Sequence, residues 1–400
     1  MFELFIGTKV FFGKNCLNSL ESILNENGWN KLALIVDHNI IDILPIKTLL
    51  SSVSNMAGKE ITIGLCSISE PTYDFLEELR INFQGDDFDA VVGIGGGSAL
   101  DAAKAIAVLM HNKKPAIHYR GFNKMTEPVL PIVVIPTTAG TGSEVTPNAS
   151  FIDSAEKRKL GINGESVRPK YAILDPALTL TCPERATVSS GVDSMVHAIE
   201  AYVAQKTNPI ARLFARDGFA NVFKYLPLVL REPGNHMYRE KVMYGAFLSG
   251  IALMHSGTGP AAAMSYPLGV HFRVPHGIGG AVFLPFVIEH NVNCGYAEYA
   301  DLYDAIHPQN TETNKRIKAN LLVEELRNIW GALAIPDDLT KLGVTPAFAE
   351  QFIQETLDLK GALDQNPVPF HKNEIASVLG RLHVQTHIGS EKEMSHESQG

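Results

Sequence analysis

The chain has 400 residues, is 45% apolar and 19% charged, and carries a formal net charge of −9. That length and apolar share predict a globular protein of two domains with a sizeable core. The acidic balance excludes nucleic acid and anionic membrane as principal partners, since both require a basic footprint.

The cysteines Cys16, Cys66, Cys182 and Cys294 are scattered without metal-ligand spacing, so free thiols in a reducing compartment are expected. Residues 1–7 have neither a basic region nor a sustained apolar run, so no secretory leader is read there. No segment approaches the roughly 20 apolar residues of a membrane helix. A cytoplasmic location is the expectation.

In chain order, residues 31–36 form an apolar run ending in Asp37-His-Asn, which predicts a buried strand and its turn. Residues 61–66 predict a second strand, followed by an amphipathic helix over 73–82, and residues 88–94 predict a third strand. Strands alternating with helices predict βαβ units in a parallel, doubly wound α/β sheet. Gly95-Gly-Gly-Ser-Ala-Leu-Asp101 then leads directly into an alanine-rich helix. Glycines let a backbone approach an anion, and a helix start offers N–H groups and a positive dipole end. This turn, with Gly96, Gly97, Ser98 and Asp101, is a candidate phosphate site, although the usual GxGxxG spacing is absent. Residues 129–135 predict another buried strand, running into Pro136-Thr-Thr-Ala-Gly-Thr-Gly-Ser-Glu-Val-Thr146. Its hydroxyls, among them Thr137, Thr138, Thr141 and Ser143, suit a cofactor's phosphates or amide. Two such loops at the C-terminal ends of parallel strands fall where α/β sheets bind ligands.

From about Cys182 the pattern changes to helical stretches at 187–204, 209–231, 237–263, 278–294, 298–306 and 314–334, punctuated by Pro227, Pro233 and Pro260. The expected division is a nucleotide-binding domain over 1–184, an all-helical domain over 185–388, and a polar, aperiodic tail over 389–400. Asp193 and His197 stand four apart in the first of these helices, where a carboxylate and an imidazole can grip one divalent ion.

The Gly95–Ser98 turn with Asp101, the Pro136–Glu144 loop, Gly191-Val-Asp-x-x-x-His-Ala198 and Pro275-His-Gly277 are together similar to the iron-containing (group III) alcohol dehydrogenases. Asp175-Pro-Ala and Asn366-Pro-Val-Pro369 add to the likeness, which runs in family order from the first strand to about Leu382. The resemblance implies a nucleotide-binding domain, a helical domain, a metal and cofactor in the cleft between them, and a homodimer. Carried over by position, it implies Gly97 and Ser98 at the pyrophosphate, with Thr137, Thr138, Thr141, Asn148 and Lys159 lining the cofactor. Lys159 also suits phosphates or ribose on charge alone. Relatives that prefer NAD usually place an Asp where this chain has His38, one residue after Asp37, and an Asn where it has Glu70. Both carboxylates disfavour a 2′-phosphate, so NAD is expected over NADP.

The resemblance implies four metal ligands, of which Asp193, His197 and His276 match. The remaining one falls on Ala262, whose methyl cannot bind metal, and a His that relatives place near the nicotinamide is Tyr266 here. Three outcomes stay open. The three residues hold Fe(II) or Zn with vacant positions; or His255 or His271 completes the set; or the metal is lost and Tyr266 acts with a bound water. The expected activity is hydride transfer between NAD(P) and a primary alcohol or its aldehyde, with Tyr266 as proton relay and His271 near metal or substrate. The small residue at 262 suits a hydroxylated sugar or sugar acid, and a faint likeness to enzymes acting on 3-deoxy-octulosonic acids points the same way. Competing readings are an oxygen-using alcohol oxidase, a carbocycle-forming lyase of the dehydroquinate synthase type, and a non-enzymatic nucleotide-binding protein.

Overall fold

A computed structural model describes residues 1–68 and 70–384, so the tail read at 389–400 lies outside the described residues. The strands are β1 (Lys9–Phe12), β2 (Lys31–Asp37), β3 (Glu60–Cys66), β4 (Ala90–Gly95), β5 (Gly121–Phe122), β6 (Ile132–Pro136), β7 (Asn148–Asp153), β8 (Arg158–Asn163) and β9 (Tyr171–Leu174). Six of them make a parallel sheet in the order β1-β9-β6-β4-β2-β3. Val92 of β4 sits between Leu34 of β2 and Val133 of β6. β4 and β6 are buried along their whole length, which is why both read as unbroken apolar runs rather than alternating ones.

The helices α1 (Ser19–Glu26) and α2 (Leu44–Ser54) cover one face of this sheet with Leu20, Ile23, Ile46 and Leu49. On the other face lie α3 (Tyr73–Ile81) and α4 (Gly97–Leu109), with Leu76, Leu100 and Ile106. The sheet is therefore doubly wound, as the alternation of strands and helices predicts. From β2 the chain winds outward to β3; from β4 it winds the opposite way to β6 and β9. The switch point lies between β2 and β4, and the crevice beyond their C-terminal ends, at Asp37 and Gly95, is where such sheets bind ligands.

A second sheet, β5-β8-β7, is absent from the sequence-based reading. Its β7–β8 hairpin turns through Lys157, whose φ is +50°, so the charged 156–159 run is half turn and half strand. That places Lys159 on β8.

The second half is helical: α5 (Glu184–Val203), α6 (Pro209–Arg231), α7 (His236–Ser256), α8 (Pro260–Phe272), α9 (His276–Asn293), α10 (Ala300–Ile306), α11 (Lys315–Ala332), α12 (Ala349–Leu357), α13 (Lys360–Leu363) and α14 (Lys372–Arg381). One apolar core joins them, running from Val188 to Val384. The single helix expected over 237–263 is two. Gly257 adopts φ +113°, which an L-residue rarely takes, and Pro260, lacking an N–H, starts α8 instead. Pro227, expected as punctuation, lies inside α6. Among the described residues no helix is long and apolar enough to cross a membrane, and the four cysteines are free.

Candidate functional site

α5 carries Asp193 and His197 one turn apart, both 5% exposed. His276 opens α9, and the residue after it explains how it arrives there. A Cβ added to Gly277 would lie 2.6 Å from Asp193 Cβ and press on the Ser189 carbonyl, so only glycine lets α9 rest directly on α5. The Nε2 atoms of His197 and His276 stand 3.6 and 4.0 Å from the same oxygen, Asp193 Oδ1. Ligand atoms of all three residues lie within 4.8 Å of one another.

Neither imidazole reaches hydrogen-bond distance of the carboxylate. Two donors bound about 2.1 Å from one tetrahedral ion stand roughly 3.4 Å apart, so an inward shift of a few tenths of an ångström seats a divalent cation. Two nitrogens and one carboxylate suit Fe(II) or Zn(II). Burial holds His276 well below the usual imidazole range, with the Lys159 and His197 charges adding to it, so its ring is neutral and free to ligate. Burial pushes the Asp193 carboxyl up, against the opposing pull of His197 and Lys159. A cation between these groups relieves that cost.

His271 and His255 are not brought to this group. His271 Nε2 lies 2.9 Å from Glu355 Oε2, and its ring packs 4.7 Å from that of Phe348. His255 Nε2 is buried without a partner and lies outside the cluster. Ala262, where the family likeness implies a ligand, is 1% exposed and contributes only its backbone. Its N–H points at Glu200, 3.4 Å away.

Glu200 is a residue that sequence reasoning passed over, although it lies three positions after His197 on the same helix. Its Oε2 accepts from Gly259 N–H at 2.8 Å and its Oε1 from Ala261 N–H at 2.7 Å, capping α8 from across the interface. Burial outweighs those donors and pushes its carboxyl up to about 7.

Tyr266 presents its ring edge-to-face to His276 at 5.2 Å. From the α/β side, Lys159 Nζ lies 5.8 Å from the Tyr266 ring centre and 2.6 Å from Glu70 Oε2. Burial acts to lower the Lys159 pKa, but Glu70 and Tyr266 overcome it and the ammonium is held above its ordinary range. Burial raises the Tyr266 phenol, which Lys159 only partly offsets. A cation and a protonated phenol therefore face the histidines from opposite halves of the chain.

The two loops meet at the switch point. Thr137 N–H donates to the Gly95 carbonyl at 2.9 Å. A Cβ on Gly97 would lie 2.7 Å from Thr141 Cγ2, so the glycine turn packs on the hydroxyl loop as closely as backbone permits. Gly96 is the N-cap of α4 and supplies no side-chain cap, and Ser98 follows in the first turn. Thr138 and Thr141 are partly exposed, while Thr137 is buried. The Asp37 carboxylate closes the crevice at the end of β2, where Oδ1 accepts from Asn39 N–H at 2.9 Å.

Asp101, expected near the phosphates, commits both carboxylate oxygens within the protein. Its Oδ1 accepts from Ser143 Oγ at 2.6 Å and its Oδ2 from Ser150 N–H at 2.9 Å. The reason is Lys104, a fully buried lysine that the alanine-rich helix conceals in the sequence. Its Nζ donates to Ser143 Oγ at 2.8 Å, to the Thr146 carbonyl at 3.1 Å and to the Asn148 carbonyl at 2.7 Å. Burial pushes this amine down to about 8, with Asp101 opposing. Asp101 and Lys104 thus tie the hydroxyl loop to α4, and Asn148 joins the same knot through its backbone.

Family comparison agrees with this architecture. The profile for iron-containing alcohol dehydrogenase matches residues 7–176, and that for the Fe-containing alcohol dehydrogenase family, C-terminal, matches residues 187–383. The chain belongs to the iron-containing alcohol dehydrogenase family and is an oxidoreductase of that type.

Among its relatives, the NAD-dependent methanol dehydrogenase of Bacillus methanolicus is 30% identical over 86% of this chain and 90% of that protein. The long-chain-alcohol dehydrogenase 1 of Geobacillus thermodenitrificans is 28% identical over 92% and 93% of the two chains. The crystal structure of a 1,3-propanediol oxidoreductase superposes with a TM-score of 0.90 at 26% identity, covering 96% of this chain and all of that one.

Proposed function

We propose that the protein transfers hydride between NAD and a primary alcohol or its aldehyde at a divalent metal held by Asp193, His197 and His276. The observation that carries this reading is the approach of two imidazole nitrogens to one buried Asp193 oxygen at 3.6 and 4.0 Å, without a hydrogen bond between them. When bound, the ion supplies Lewis acidity to the substrate oxygen and the nicotinamide supplies the hydride acceptor or donor. Gly96, Gly97 and Ser98 at the start of α4 cradle the diphosphate, and Thr137, Thr138, Thr141 and Asn148 bound its path. Asp37 meets the ribose hydroxyls at the end of β2, which favours NAD over NADP. Lys159, oriented by Glu70 and 5.8 Å from the Tyr266 ring centre, would offer its charge to the cofactor. Burial keeps the Tyr266 phenol protonated at neutral pH, so its Oη is the candidate proton donor to the carbonyl oxygen in the direction of reduction. His271, anchored on Glu355, takes no part.

The finer reading is a hydroxylated, acid-bearing substrate, for which the lack of a ligating side chain at Ala262 leaves a metal position open and Lys159 offers a nearby cation. The glycine turn and hydroxyl loop support a nucleotide-dependent reaction over an oxygen-using one. Absorbance at 340 nm, followed with NAD and with NADH over a panel of simple alcohols, aldehydes and polyhydroxylated acids, tests both levels. No nucleotide-dependent signal with any of them sinks the proposal. Turnover of simple alcohols alone sinks only the acid-bearing substrate.

A further inference from the structure

Between Ala262 and His276 runs a short hydrogen-bond relay. Ser265 Oγ lies 2.6 Å from the Ala262 carbonyl oxygen and 2.7 Å from His276 Nδ1. Two oxygens at 2.6 Å need a proton between them, and a carbonyl has none to give. The one hydroxyl proton of Ser265 is therefore committed to Ala262. The contact at 2.7 Å also needs a proton, and His276 Nδ1 is the only atom left to supply it. His276 is accordingly the Nδ1–H tautomer, and its Nε2 carries the lone pair that faces Asp193 Oδ1 at 4.0 Å.

The far end of the relay is fixed as well. The N–H groups of Gly259 and Ala261 are held by Glu200 of α5, so the turn bearing the Ala262 carbonyl is pinned to the helix that carries Asp193 and His197. Ser265 is 1% exposed, and a Cβ on Gly279 of α9 would lie 2.9 Å from its own Cβ, so its backbone has no room to drift. His197 has no counterpart to this arrangement: its Nδ1 is buried without a partner.

We propose that Ser265 is the positioning residue of the metal site, setting the tautomer and ring angle of His276 so that Nε2 is presented as a ligand. This rests on the metal-centred reading above and identifies what orients one of its ligands. Partners of this kind, outside the ligand set itself, change metal affinity roughly 10- to 100-fold when removed.

The test uses the full-length protein stripped of metal, as wild type and Ser265→Ala, with Co(II) as probe in competition with a chromophoric chelator. A second readout is ¹⁵N NMR of histidine-labelled, metal-free protein, with the His276 signals assigned by their loss in His276→Gln. The expected result is one Co(II) per wild-type chain, roughly 10- to 100-fold weaker binding by S265A, and a melting temperature of the metal-free protein little changed. The wild-type His276 signals should show the proton on Nδ1, and S265A should lose that bias. Equal Co(II) affinity, or an unchanged His276 tautomer in S265A, overturns the inference and leaves the metal site standing. Failure of the wild type to bind Co(II) overturns both.

Discussion

The Glu200 carboxylate takes the N–H of Ala261 at 2.7 Å, so the helix that holds Asp193 and His197 also caps the helix that holds Ser265 and Tyr266. α8 starts without a side-chain cap of its own and borrows one from α5. A buried negative charge at a helix start is favoured by the dipole, yet burial leaves this carboxyl poised near neutrality.

That poise predicts a pH dependence of stability. In the fold the Glu200 pKa is raised from 4.5 to about 7, so the stability it contributes is complete below the lower value and is lost as pH rises through the upper one. Glu200→Gln removes the ionisation and keeps one acceptor. The unfolding free energy of metal-free wild type, relative to E200Q, should fall by on the order of 3 kcal/mol across that window. Urea titrations at several pH values read it directly, and a pH-independent difference rejects the assignment.

Removing a ligand should empty the metal site. Asp193→Ala and His276→Ala are each expected to lose bound metal by elemental analysis. Turnover should drop roughly 10³-fold, matching the several kcal/mol that a Lewis acid contributes. Full metal occupancy in both variants would show that the ion sits elsewhere.

The contact between the two cofactor loops makes a paired prediction. Gly97→Ala places a methyl 2.7 Å from Thr141 Cγ2 and should raise the NAD dissociation constant about tenfold, with little effect on metal content. Adding Thr141→Ala removes the two nearest atoms and leaves only Cβ at 3.1 Å, so the double variant should bind NAD more tightly than G97A alone. Simple additivity of the two effects, measured by calorimetry, would mean the loops do not act through this contact.

Lys104 is expected to matter for stability far more than an ordinary helix lysine. Lys104→Met keeps the volume but removes the cation 3.7 Å from Asp101 and leaves the Thr146 and Asn148 carbonyls without their donor. The loss should be about 3–5 kcal/mol in equilibrium unfolding. A change under about 1 kcal/mol would show that water replaces the ammonium at little cost.

The parts of this molecule that were legible in the sequence are those whose chemistry repeats at fixed spacing. Asp193 and His197 announce themselves by one helical turn, and β4 and β6 by apolar runs too long for a half-exposed strand. Glu200 and Lys104 were hidden for the same reason as each other. A single charged residue in a helix reads as solvent-facing, and only the neighbouring chain shows that three N–H groups or three acceptors converge on it. Pro260 marks an interruption in the sequence, but glycine is tolerated within helices, and the positive φ of Gly257 is what ends α7 before it. Lys159 stands out by its charge, but the hairpin that aims it at Tyr266 does not, because its strands mix polar with apolar residues and its turn is charged.

Gly277 has a consequence for which ions the site admits. Because α9 rests its backbone on Asp193, the ligands come from two helices in direct contact, and the donor set they assemble is two nitrogens and one carboxylate. Calcium, which takes six to eight oxygen donors at about 2.3–2.6 Å, meets two imidazoles and a single carboxylate there. Donor chemistry rather than size therefore discriminates, and excess calcium should leave the site open to transition metals.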